Sequence, residues 1–162
     1  MTIFSARRLK HQFCIEELRK IGAEVMEIEG IMFIVKYHCN NLNIEYIYHI
    51  SPDNAYLLER IKPYSLVLSE HTTEESVINA IKNDIDQFNN ARNSKNFDDF
   101  VSIDKDLTKI VRYFEDLYLY YNINNEDINY LKNEVHKMAK SIIEIQDRSK
   151  RVYHKTEPKS FR

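Results

Sequence analysis

Residues 24–50 read EVMEIEGIMFIVKYHCNNLNIEYIYHI, and this stretch decides the fold. Two turn candidates divide it, Glu29-Gly30 and Asn40-Asn41. Both suit two-residue hairpins, because Gly and Asn tolerate the positive φ such turns require. Those turns set a register that can be tested. One face collects Met26, Ile28, Ile31, Phe33, Val35, Tyr37, Cys39, Leu42, Ile44, Tyr46, Tyr48 and Ile50, with no charged residue among them. The other face collects Glu27, Glu29, Lys36, His38, Asn43, Glu45 and His49, together with Val25, Met32, Ile34 and Ile47. Lys36 falls opposite Glu45, an opposite-charge cross-strand pair. A slip by one residue would mix the two sets, so the pattern specifies one register. The stretch therefore predicts a three-stranded antiparallel meander.

Helical signals flank it. Leu9, Phe13, Cys14, Leu18 and Ile21 recur at three- and four-residue spacing within 6–21, and Gly22 suits the helix end. After the meander, Ser51-Pro52-Asp53 predicts a short helix with Ala55, Leu57, Leu58 and Ile61 inward, stopped by Pro63. Residues 64–69, YSLVLS, are left open as a short fourth strand. Thr72-x-x-Glu75 has the form of a capping box opening a helix whose core face is Ile78, Ile81, Ile85 and Phe88. The polar stretch Asn89–Asn96 marks a boundary.

Two longer periodic segments follow. In 104–121, Leu107, Ile110, Phe114, Leu117 and Tyr121 are spaced 3-4-3-4. In about 126–150, Ile128, Leu131, Val135, Met138, Ile142 and Ile145 are spaced 3-4-3-4-3. Such spacing matches coiled-coil seams, and the short connection Asn122–Asn125 makes the pair an antiparallel helical hairpin. Tyr118 and Tyr121 are expected in its core. The fold class is α+β: a meander packed on helices, then the hairpin. The domains are a sheet domain at 1–92, the hairpin at 97–150 and a mobile basic tail at 151–162.

Composition narrows the function. The 162 residues carry a net charge of −2 and only 2 Gly and 3 Pro. That charge is uneven: +3 over 1–23, −9 over 24–146 and +4 over 147–162. Basic ends on an acidic body argue against a broad phosphate-binding face. No apolar run reaches the roughly 20 residues of a membrane span, and the N-terminus lacks a signal-peptide core. The expectation is a soluble cytoplasmic protein, with Cys14 and Cys39 reduced and buried. Ile, Asn and Lys supply 20, 15 and 14 residues, a bias common to AT-rich genomes such as those of many phages.

Catalytic constellations are incomplete. With two glycines no phosphate-cradling loop can form. His11 and Cys14 lie one helical turn apart, but adjacent strand residues His38 and Cys39 point to opposite faces, so no metal site and no cofactor are expected. His49-Ile50-Ser51 and His71-Thr72-Thr73 resemble the paired tripeptides of the two-histidine phosphoesterases, which implies His49 and His71 as general acid and base. Pro52-Asp53 with Glu70-His71-Thr72 resembles the restriction-type nuclease pattern, but its lysine is absent. The element order across 6–62 resembles the double-stranded RNA-binding domain, without that domain's lysine cluster.

The remaining features are contact surfaces. Tyr113, Tyr118, Tyr120 and Tyr121 crowd one helix end and Tyr130 starts the next. Tyr120 and Tyr130 fall off the apolar seam and are the candidate partner-binding residues, since tyrosine is enriched in binding hot spots. Arg148, Lys150, Arg151 and Lys155 are candidates for contact with phosphate or an acidic partner, which includes the chain's own acidic surface. The reading is a non-enzymatic protein-binding regulator or inhibitor, one version being a phage or mobile-element protein that blocks a host factor. A homodimer through the C-terminal hairpin is left open. One alternative is a nucleic-acid-binding regulator using the basic N-terminal helix and tail. The other is the phosphoesterase reading.

Overall fold

The computed structural model describes residues 32–50 and 55–160. The expected helix at 6–21, the strand before Glu29 and the Ser51 and Asp53 caps lie outside the described residues. The fold is α+β. A four-stranded antiparallel sheet is followed by three helices, the last two forming a C-terminal helical hairpin.

Strands β1 (Met32–Cys39) and β2 (Leu42–Ile50) pair as the pattern requires. Cys39 faces Leu42 across the Asn40-Asn41 turn, and Lys36 faces Glu45. Asn40 takes a φ of 53°, the left-handed value needed at the first position of such a turn. Leu42, Ile44 and Tyr46 are buried, while Asn43 and His38 on the opposite face are exposed. Glu45 lies 4.0 Å from Lys36 and 2.9 Å from Lys62, whose hydrogen bond holds the carboxylate below its usual range.

The chain then departs from expectation. In place of a short helix at 53–62 it forms strand β3 (Tyr56–Lys62). Tyr56, Leu58 and Arg60 alternate inward, with Leu57 and Glu59 between them on the other face. That alternation was hidden because its third inward residue is an arginine. The open question over 64–69 resolves as strand β4 (Leu66–His71), so the sheet order is β1-β2-β3-β4.

Helix α1 (Glu74–Ala91) covers the inward face. Its cap is Thr73, one residue later than the expected Thr72, and Thr73 Oγ1 accepts from the Ser76 amide at 3.2 Å. Val77, Ile81 and Phe88 are buried, while Ile78 is 47% exposed. The stripe 77-81-88 is centred about 80° round the helix from Ile78. It places Asp84 where the sheet needs it.

Arg60 is that need. It is only 3% exposed, in the middle of the core. Its Nη1 lies 2.7 Å from Asp84 Oδ1, and its guanidinium sits 4.5 Å from the Tyr64 ring centre and 4.7 Å from that of Phe88. Tyr46 Oη donates to Asp84 Oδ2 at 2.8 Å. Burial and the neighbouring Asp84 charge push the Tyr46 hydroxyl far up, so it stays protonated as the donor this network requires. Burial also pushes Tyr64 up to about 12.

Replacing Asp84 with Ala would strand a buried guanidinium. The expected loss is about 3–5 kcal/mol of unfolding free energy, the usual cost of breaking one half of a buried pair. Urea denaturation measures it. A loss of less than about 1 kcal/mol, the scale of a surface pair, would contradict the role assigned to this network.

Candidate interaction surface

Helix α2 (Phe97–Tyr120) starts earlier than the sequence pattern indicated, because Phe97 and Phe100 anchor it. Their rings pack on Phe88 at 6.3 and 6.2 Å, and Phe100 meets Tyr64 edge-on at 5.8 Å. The aromatic group that packs on Arg60 thus also holds the base of the hairpin. Nearby Asp104 is partly buried, which raises its carboxyl above the usual range against the opposing pull of Arg60. Helix α3 (Asn125–Arg148) opens on Asn124, whose Oδ1 accepts from the Asp127 amide at 2.8 Å.

No residue of α2 or α3 is buried. The two helices do not run in close contact along their lengths. Leu117, Ile123, Ile128 and Leu131, around the connection, are half-buried. Farther along the seam, Ile110, Phe114, Met138, Ile142 and Ile145 are each 46–49% exposed and Val135 is 63% exposed. Sixteen of the twenty-three large apolar side chains exposed among the described residues lie between Phe100 and Ile145. Monomeric proteins seldom leave this much apolar surface bare, and such concentrations mark contact sites.

The candidate tyrosines fall on this surface. Tyr120 is 78% exposed and Tyr130 63%. Tyr118 and Tyr121 were expected in the hairpin core and are instead 65% and 69% exposed. The reason is that the seam they border does not close between α2 and α3, and Tyr121 has already left the helix for extended backbone at φ −127°, ψ 145°.

The basic tail meets the chain's own acids. Tyr153 Oη and Lys155 Nζ both reach Asp86 Oδ2 on α1, at 2.8 and 2.7 Å. Gln87 Nε2 donates to Thr156 Oγ1 at 3.0 Å. Arg151 forks onto Glu157 through both terminal nitrogens at 2.9 Å and donates to the Tyr153 and Thr156 carbonyls. A shallow hollow lined by Asp86, Asn89, Tyr153 and His154 lies where the tail meets α1. Arg151 and Lys155 are therefore engaged internally. Arg148 lies in the last turn of α3, and Lys150 is exposed just beyond it. Asp86 has no signature in the sequence, since one acidic residue on an exposed helical face carries no local signal.

The histidines are separated. His49 pairs with Leu57, which pairs with Glu70, on the face turned away from α1. His71 pairs with the inward Tyr56. The two imidazoles lie on opposite faces of the sheet, so they cannot flank one phosphodiester. His71 Nε2 instead meets Ser69 Oγ at 2.5 Å, and burial depresses its pKa. Among the described residues no group of three or more His, Cys, Asp or Glu is placed to hold a metal ion. His11 and Cys14 lie outside them, as does the side chain of Cys39. Among the described residues no helix is long and apolar enough to cross a membrane. No family model, no curated protein and no solved structure matches the chain.

The tail contact has a predictable pH window. Hydrogen bonds from Lys155 and Tyr153 hold Asp86 below its ordinary 3.8, so its contribution is present above that value and lost as pH falls through the depressed one. Lys155 is raised above its ordinary 10.5 by Asp86, so its contribution is present below 10.5 and lost as pH rises through the raised value. The Tyr153 ring resonances should stay at their docked shifts between these limits and move toward free-peptide values outside them. An Asp86→Asn chain should show undocked shifts at neutral pH. Docked shifts in that variant would contradict the contact.

Proposed function

We propose that this chain is a non-enzymatic protein-binding regulator or inhibitor whose contact surface is the C-terminal helical hairpin. The observation that carries the reading is the concentration of exposed apolar and tyrosine side chains along α2 and α3. Rigid aromatics on a helix offer large contact area for little entropy loss, so a few of them dominate binding energy. Tyr120 and Tyr130 stand on this surface, off the seam. The internal pairing of Arg151 and Lys155 favours this reading over a nucleic-acid contact through the tail. A phage or mobile-element version, in which the bound protein is a host factor, rests on codon bias alone.

The test is capture of a protein from host lysate by the full chain, with and without nuclease. A stoichiometric partner that survives nuclease is expected. Tyr120→Ala with Tyr130→Ala should weaken capture by about tenfold or more, on the scale of two hot-spot truncations. Helical content by circular dichroism should be unchanged, because both rings are exposed in the chain. Unchanged capture, or a loss of helical content like that of a core substitution, would overturn the assignment of these tyrosines.

A further inference from the structure

The seam of α2 and α3 is apolar, long and open, and its pattern states what covers it. Resting on the protein-binding reading above, we infer that its occupant is a second copy of this chain, in an antiparallel four-helix bundle made by the two hairpins.

Three observations converge. The first is area. The exposed parts of the seam side chains between Ile103 and Ile145 come to on the order of 900 Å² per copy, against about 800 Å² per partner in a standard stable interface.

The second is breadth. If the seam of α2 occupies the first and fourth positions of each heptad, its flanking positions hold Val111, Tyr113, Tyr118 and Tyr120. Apolar residues at four of seven positions call for neighbours on two sides. A bundle supplies these and a two-stranded contact does not.

The third is self-complementarity. Helix α3 is acidic in its first turn, Glu126 and Asp127, and basic in its last, Arg148. A two-fold axis across the middle of α3 pairs Ile128 with the partner's Ile145, Leu131 with the partner's Ile142 and Val135 with the partner's Met138. In that register the flanking Asp127 meets the partner's Arg148, and this happens twice. Glu134 meets the partner's Ser141, and Lys132 meets the partner's Ala139. No like charges oppose one another. Two copies of α2 placed the same way set Tyr113 against the partner's Tyr113, and Asp106 within reach of the partner's Tyr120 hydroxyl. Antiparallel placement also sets the positive end of each α3 dipole beside the negative end of the other. A parallel pair would instead bring two acidic first turns together. The acidic partner of Arg148 is then Asp127 of a second copy.

The test uses the full chain in analytical ultracentrifugation, across micromolar concentrations. The expected mass is that of two chains. Met138→Glu with Ile142→Glu would place four carboxylates in the bundle core and should weaken association by about a hundredfold or more. Both residues are nearly half exposed in a single copy, so helical content by circular dichroism should persist. A charge exchange separates pairing from fold. Asp127→Arg alone should weaken the dimer, and Asp127→Arg combined with Arg148→Asp should restore it, whereas losses within each helix would only add. A monomeric chain overturns the inference, as does a dimer indifferent to the seam variants or a charge exchange that fails to restore it. A monomer that still captures a different protein through Tyr120 and Tyr130 overturns this inference alone and leaves the broader reading standing.

Discussion

One buried charge organises the described part of this chain. Arg60 points into a core otherwise built from Ile44, Tyr46, Leu58, Val77, Ile81 and Phe88. A guanidinium out of water must be paired and hydrogen-bonded, since an unpaired one costs several kcal/mol. Asp84 pairs it, Tyr46 completes the carboxylate, and the guanidinium sits over the adjoining rings of Tyr64 and Phe88. These partners come from β2, from the β3–β4 connection and from α1. A strand slipped by one residue, or a helix rotated by one position, would leave the charge uncovered. The pair therefore contributes less to stability than to selecting one arrangement. Its Nε finds no hydrogen-bond partner among the described residues, so the satisfaction is incomplete.

The same constraint reaches the hairpin. Phe88 is shared between the contact with Arg60 and the packing of Phe97 and Phe100, so the base of α2 is set by a residue that packs on the guanidinium. Beyond that base the character of the molecule changes. The inward face of the sheet packs under α1, whereas the apolar seams of α2 and α3 stay exposed. Isolated helices owe most of their stability to packing rather than propensity, and short-range pairs add only tenths of a kcal/mol. Lys109 with Asp106 and Lys137 with Glu134 are such pairs, well exposed and weak.

The tail shows how an acidic body uses a basic end. Attraction between the +4 terminus and the −9 middle could have served an external ligand. Two of its cations are instead spent on Asp86 and Glu157. Arg148 and Lys150 lie where α3 ends.

Much of the architecture was legible in residues. The β1–β2 register followed from alternation, and the Asn40-Asn41 turn and the Lys36–Glu45 pairing followed with it, because a side-chain period of two admits no slip when one face is buried. The hairpin helices followed from their three- and four-residue spacing. What could not be read locally was decided by contact. Residues 56–62 satisfy both a helical and an alternating pattern, and only pairing with β2 and β4 selects the strand. Arg60 looks like a surface residue until Asp84 arrives from 24 positions away. A seam spaced for packing names the face that must be covered, but periodicity is a property of one helix. Whether α2 and α3 cover one another is a property of how the two helices are placed, and among the described residues they do not.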